Sequence, residues 1–295
     1  MSNYVLTDDL LDDWRDDVLH GPPPKRFAMG NGLESISLGP GMVALIGGAP
    51  GMGKTAFVMQ CVTDAMVADR SLTACVCNVE MPVERLLERQ LSRLADVPLS
   101  DILHRRLNDK QRDALEPAFD VIEAIADRLV WVKSSYTLEA VAEAADSIDA
   151  ELIVLDYIQR IRSTGSRGED KRSTVDATMD SLRRFADAGC CVLALSAVGR
   201  SRDKRGRQSY AGEDLSLASF RESSELEFGA DDAYLLVSSD TNASPSDAVV
   251  DVTLKQLKSR YGQPTDIHLI FDKAAQSFRV ERERFADSIS ELWKP

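Results

Sequence analysis

The stretch GGAPGMGKTAF, residues 47–57, holds four glycines in eleven positions. Glycine loses more conformational freedom on folding than any other residue, so such a cluster needs a reason. Its spacing supplies one. Gly48-Ala49-Pro50-Gly51-Met52-Gly53-Lys54-Thr55 fits GxxxxGK[ST], a loop whose backbone N–H groups curl around phosphate oxygens. The apolar run MVALIG (42–47) precedes it, and residues 54–69 follow with helical spacing. A helix start there points its positive end at the same anion. Lys54 is expected to reach the β- and γ-phosphates of a nucleotide, and Thr55 to ligate Mg²⁺. The expected nucleotide contacts are these eight residues together with Ala56.

Working outward, apolar runs alternate with helical patterns. LTACVCNV (72–79), LVWVKS (129–134), LIVLDY (152–157), CVLALSAV (191–198) and AYLLVS (233–238) have strand length. Between them, Pro82 opens a helix, a helical region spans about 108–127, and 138–148 forms another. Short strands with both faces apolar, alternating with helices, specify an α/β fold with a mostly parallel central sheet covered on both faces. Residues 249–282 read as a C-terminal β-hairpin, VVDVTLKQLKS then TDIHLIFD. Residues 1–35 form an arm in which Thr7 caps a short helix bearing Leu10, Leu11, Trp14 and Val18 on one face. The expected division is arm 1–35, ATPase domain 36–282 and tail 283–295.

A phosphate loop needs a carboxylate on the metal side. Asp156 closes the strand ELIVLDY, which brings it to the carboxyl edge where ligands bind in such sheets. Hydrolysis also needs a group that activates water. Glu80 closes the strand LTACVCNV at the same edge and is the candidate.

The net charge of −13 argues against a general nucleic-acid surface but leaves room for a local one. Residues 160–172 (RIRSTGSRGEDKR) hold five basic and two acidic residues; 199–207 (GRSRDKRGR) hold five basic and one acidic. Both are rich in Gly, Ser or both, and read as loops. The five cysteines lack the compact spacings of a zinc site and read as free thiols of a reducing, cytoplasmic environment. No apolar run is long enough to span a membrane.

Five further motifs, in order, resemble those of DnaB-type replicative helicases. Asn78-Val79-Glu80-Met81-Pro82 resembles the family's "SLEMP", LIVLDYIQ (152–159) its metal-binding strand, and LSAVGR (195–200) its "LSQLNR". LASFRESSELEFGADD (217–232) resembles "LSDLRESGSIEQDAD", and Lys258-Ser259-Arg260-Tyr261-Gly262 resembles "KQRNG". The resemblance covers about residues 40–272. It implies a RecA-like ATPase that assembles as a ring, typically a hexamer, on single-stranded DNA with ATP between subunits. Glu80 would activate water. Arg260 would be an arginine finger acting on the neighbouring subunit, with Lys258 beside it. The two basic segments would face DNA, through Arg160, Arg162, Arg167, Lys171 and Arg172 in the first and Arg200, Arg202, Lys204, Arg205 and Arg207 in the second.

Two departures stand out. The family has a glutamine that senses the γ-phosphate where this chain has Ala197, which cannot hydrogen-bond through its side chain; Ser196 and Arg200 are the nearest substitutes. Only about 35 residues precede the core, so no primase-binding domain is expected; the arm helix resembles the family's linker helix, which docks on the adjacent subunit. The expected activity is that of an ATP-dependent DNA helicase or translocase working on single-stranded DNA as a ring, with replication or recombination proteins as candidate partners. The alternative is a RecA-fold ATPase without unwinding, a nucleotide-dependent switch, recombination mediator or loader.

Overall fold

The computed structural model describes residues 4–30, 32–162, 171–198, 201–202, 208–209, 220, 229–239 and 247–281, with backbone alone at 171–176, 201–202 and 208–209. The first strand, β1 (Val43–Gly48), is buried along its whole length. It leads through the glycine loop into α2 (Lys54–Ala68). Then follow β2 (Ala74–Asn78), α3 (Val83–Ala95), α4 (Leu99–Leu103) and α5 (Asp109–Glu123). Asn108 and Gln111 close a capping box at the start of α5, exchanging side-chain and backbone hydrogen bonds at 2.9 Å each. Next come β3 (Leu129–Trp131), α6 (Leu138–Asp146), β4 (Leu152–Asp156), α7 (Lys171–Asp187) and β5 (Cys191–Leu195). A two-stranded ribbon, β6 (Ser201–Arg202) with β7 (Gln208–Ser209), stands apart from the main sheet. The chain continues into β8 (Asp232–Ser238), β9 (Val249–Ser259), β10 (Ile267–Asp272) and β11 (Ser277–Val280).

The nine-stranded sheet has the order β11-β10-β9-β8-β1-β5-β4-β2-β3. Pairings from β3 to β8 are parallel, and the last three strands add on antiparallel. The expected α/β sheet is therefore present, with apolar cores on both faces. Three readings change. The C-terminal unit has a third strand, β11, only four residues long. Lys171 and Arg172 begin α7 and are not loop residues. Thr7 is the first residue of α1 (Thr7–His20), where Leu6 holds the cap position and no side chain caps the helix.

The C-terminal strands fix the phosphate loop. Phe278 on β11 stacks on Phe271 at 4.1 Å and meets Phe57 of α2 edge-on at 5.3 Å. Each such pair contributes about 1 kcal/mol beyond its buried area. The Gln60 side chain exchanges two hydrogen bonds with the Phe278 backbone, at 2.7 and 2.8 Å, so α2 is tied to β11. Phe27, Met29 and Leu33 are buried in the same core. The packed unit thus reaches back at least to Phe27, inside the segment expected to be arm. Residues 283–295, expected to be a tail, lie outside the described residues.

Candidate active site

The loop between β1 and α2 lies at the carboxyl edge of the parallel strands. Gly51 and Gly53 both have φ of +81°, a left-handed conformation that glycine adopts without strain. At Gly53 a Cβ would also meet the Phe271 ring at 2.8 Å. Lys54 folds back on the loop, its Nζ donating to the carbonyls of Gly48 at 2.8 Å and Ala49 at 3.2 Å. Burial pushes the Lys54 ammonium pKa down, opposed by the charges of Asp156 and Glu80. A phosphate is a stronger partner for this ammonium than two carbonyls, because a bond between two ionised groups is charge-assisted.

Register places the acids. β2 and β4 are neighbours, with Asn78 opposite Asp156 at their carboxyl ends. The β4–β5 and β1–β5 pairings set Asp156 and Ile46 level with Leu195. One strand therefore separates the phosphate loop from Asp156. Asp156 Oδ2 accepts hydrogen bonds from Thr55 Oγ1 and Asn78 Nδ2, both at 2.6 Å. The carboxyl is buried, which pushes its pKa up to about 6; the Thr55 bond opposes this, and the Glu80 charge adds to it. A hydroxyl beside a buried carboxylate is the hard-oxygen pair that suits Mg²⁺. These two residues fit a metal site, and the charge of a bound Mg²⁺ would offset the cost of ionising buried Asp156.

Glu80 is exposed at the mouth of this edge. Asn78 shapes its approach, with Oδ1 accepting from the backbone N–H of Glu80 at 2.9 Å and of Met81 at 2.8 Å. The Tyr157 hydroxyl hydrogen-bonds to Glu80, which raises the phenol pKa. Lys54, Thr55, Glu80 and Asp156 share a cavity of about 520 Å³ with Gly48, Pro50, Gly51 and Gly53. Ala49 contributes a carbonyl to Lys54. Met52 packs against the core, and Ala56 is buried within it.

The cavity also contains residues with no assigned part in the sequence reading: Arg89, Tyr157, Lys273 and Gln276. Arg89 lies nine positions after Glu80 on α3, and no spacing rule singles it out. Lys273 and Gln276 come from the β10–β11 turn, which the overlooked strand β11 creates. Ala197 lines the same wall. Ser196 is fully buried and bonded to Gln159 Nε2 at 2.7 Å, so it is no substitute for the missing glutamine. Gln159 Oε1 accepts from the Ala197 N–H at 3.3 Å, bracing this exit from β5. Arg200 lies outside the described residues.

Lys258 and Arg260 lie elsewhere. Because β9 runs antiparallel to β8, its end pairs with the start of β8, Asp232 opposite Ser259. Both basic residues therefore sit at the amino edge. The seven residues of β8 put this edge roughly 20 Å from the phosphate loop. Arg260 Nη1 is 2.7 Å from Asp231 Oδ1.

Of the residues assigned to DNA, Arg160 ends a short 3₁₀ turn after β4 and is exposed. Exposed Arg162 bridges in parallel to Thr137. Lys171 and Arg172 start α7, and Arg202 lies in the β6–β7 ribbon. Arg167, Arg200, Lys204, Arg205 and Arg207 lie outside the described residues.

This sheet order, with a phosphate loop after its central strand and an antiparallel C-terminal extension, defines a RecA-like P-loop ATPase fold. The family model described as "DnaB-like helicase C terminal domain" matches residues 32–280. The chain belongs to that family. It is 29% identical over 206 residues to the replicative DNA helicase DnaB of Buchnera aphidicola subsp. Schizaphis graminum, covering 67% of this chain and 42% of that protein. It spans less than half the length of the curated relatives it matches. The ATPase domain of G40P superposes with a TM-score of 0.78 at 19% identity, covering 95% of this chain and all of that one. A DnaB-like replicative helicase, described with its interactions with primase, gives 0.75 at 18% identity over 94% and 67%. Among the described residues no helix is long and apolar enough to cross a membrane.

Proposed function

We propose that this chain is a Mg²⁺-dependent ATPase that moves on single-stranded DNA as a ring, with each ATP held between two subunits. The observation that carries the reading is the separation of the site into two edges. Lys54, Thr55, Glu80 and Asp156 converge at the carboxyl edge. Arg260 and Lys258, the remaining expected charges, are a strand's length away and cannot reach their own phosphate loop. A ring places one subunit's amino-edge arginine against its neighbour's nucleotide.

In this scheme Lys54 and the loop N–H groups bind the phosphates. Glu80 takes a proton from the attacking water, held toward it by Tyr157. Arg260 of the adjacent subunit neutralises charge that develops on the γ-phosphoryl group. Thr55 and Asp156 would hold Mg²⁺, which when bound polarises the phosphoryl oxygens. Exposed Arg160 and Arg162, with the basic residues around them, would contact the DNA backbone. The arm 1–35 would dock on the next subunit and the tail 283–295 would follow the ATPase unit; a cytoplasmic setting with replication or recombination proteins fits this activity.

Ala197 favours a second reading, an ATPase without unwinding that acts as a switch or loader, since the methyl at this point of the cavity wall cannot hydrogen-bond the γ-phosphate. Steady-state hydrolysis with Mg²⁺, with and without single-stranded DNA at low and high salt, separates the two. Stimulation by DNA that salt weakens supports the translocase. Hydrolysis indifferent to DNA supports the switch.

A further inference from the structure

Asp231 is fully buried, yet it holds two arginines from distant parts of the chain. Its Oδ2 lies 2.6 Å from Arg183 Nη1 on α7 and accepts from the Val43 N–H at 2.8 Å. Its Oδ1 faces Arg260 Nη1 at 2.7 Å, and its backbone carbonyl accepts from the Arg260 N–H at 3.0 Å. Asp231 thus meets Arg260 at two points, as an ion pair through its side chain and as a hydrogen-bond acceptor through its backbone. Arg183 also approaches the exposed Asp187 at 3.8 Å.

A buried carboxylate that loses one cationic partner is left with unmet charge, so the positions of its two arginines depend on each other. Arg183 lies on a 17-residue helix that begins at Lys171, at the end of the basic segment 160–172. Its distance from the helix start, roughly 18 Å at 1.5 Å per residue, is spanned by a rigid rod. A displacement of the helix start would therefore move Arg183, which is bonded to Asp231.

We propose that Asp231 is a positioning residue for Arg260, and that Arg183 makes that position respond to α7, coupling the helix start at Lys171 and Arg172 to the neighbouring subunit's nucleotide. This rests on the reading of Arg260 as acting in trans.

The test compares kcat and KM for ATP, with and without single-stranded DNA, in the full chain and four variants. Asp231→Asn lowers kcat about 10²-fold through misplacement of Arg260, while KM for ATP stays within about threefold. Because this residue is buried, Arg183→Met provides a second probe at a partly exposed position. In Arg183→Met the ratio of DNA-stimulated to basal hydrolysis falls about fivefold, and Arg183→Lys recovers most of it. An undiminished ratio in Arg183→Met, or equal loss in Arg183→Met and Arg183→Lys, overturns the coupling. Arg260→Ala tells the two levels apart. Full hydrolysis in that variant rejects the trans reading itself. Inactive Arg260→Ala beside an unaffected Asp231→Asn rejects only the role of Asp231.

Discussion

The Thr55 hydroxyl donates to the Asp156 carboxylate at 2.6 Å, joining the first residues of α2 to the end of β4. The two are 101 positions apart in the chain, and the bond exists because only β5 separates their strands. It orients two oxygens that together suit a hard divalent cation.

Thr55→Val keeps the shape of the side chain and removes that oxygen. Hydrolysis at saturating ATP should fall about 10²-fold, the scale of losing one fixed polar contact to a transition state. The Mg²⁺ concentration giving half-maximal rate should rise. Phosphate release measured across a Mg²⁺ titration checks both, and an unchanged titration curve rejects the metal assignment.

Glu80→Gln preserves the bulk of the side chain and removes its basicity. ATP binding, followed by equilibrium titration with a fluorescent nucleotide, should stay within about threefold of the parent, since Lys54 and the loop N–H groups are intact. Turnover should be abolished. Full activity in this variant would falsify the assignment of Glu80 as the base.

Lys54→Ala and Arg260→Ala place their defects on opposite edges of the subunit. Each alone should lose about 10³-fold in kcat, the scale for a phosphate-binding charge or an arginine finger. Mixed, the two proteins should recover part of the activity, because some interfaces pair an intact Lys54 edge with an intact Arg260 edge. Hydrolysis across mixing ratios measures this. A mixture no better than its components argues that Arg260 does not act across an interface.

How much of this was legible in the chain follows from the range of the interactions. Residues 47–57 are readable because strand, loop and helix are contiguous, and Asp156 and Glu80 because each ends an apolar run at the sheet's carboxyl edge. Helix α7 is obscured by its composition: KRSTVDATMDSLRRFAD has a low apolar content, and its first two residues continue a basic stretch. Strand β11 is too short for alternation to stand out, yet it carries Phe278 and closes the turn bearing Lys273 and Gln276. Asp231 is visible only in three dimensions, since Val43 is 188 positions away and Arg183 is 48. The edge on which Arg260 lies required knowing that β9 runs against β8.

Asp69 gives a pH dependence with a definite sign. Hydrogen bonds from the Ser71 hydroxyl and backbone N–H hold its carboxyl pKa down to about 2, with Lys25 contributing. A folded-state value below the unfolded one contributes stability above the unfolded pKa, and that contribution is lost as pH falls. Asp69→Asn should therefore lower Tm near neutral pH, with the difference from the parent shrinking between about pH 4 and pH 2. Thermal unfolding of both proteins across that window measures it. A difference independent of pH would assign the effect to packing rather than charge.

The arm helix sets the last expectation. In α1, Leu10, Leu11, Trp14 and Val18 are 49, 44, 62 and 64% exposed, and none of the helix is buried. A 14-residue helix is marginal in water by itself, and one bearing such a face gains stability by covering it. In a ring the covering surface would belong to the next subunit. Deleting residues 1–20 leaves Lys25, with its 2.8 Å ion pair to Glu151, and the core residues from Phe27 onward in place. The truncated protein should fold with a similar Tm but sediment as a smaller species at equal concentration. Sedimentation velocity with ATP and Mg²⁺ present decides the matter. An unchanged oligomer size would show that the arm is dispensable for assembly and that subunit contacts come from the ATPase unit alone.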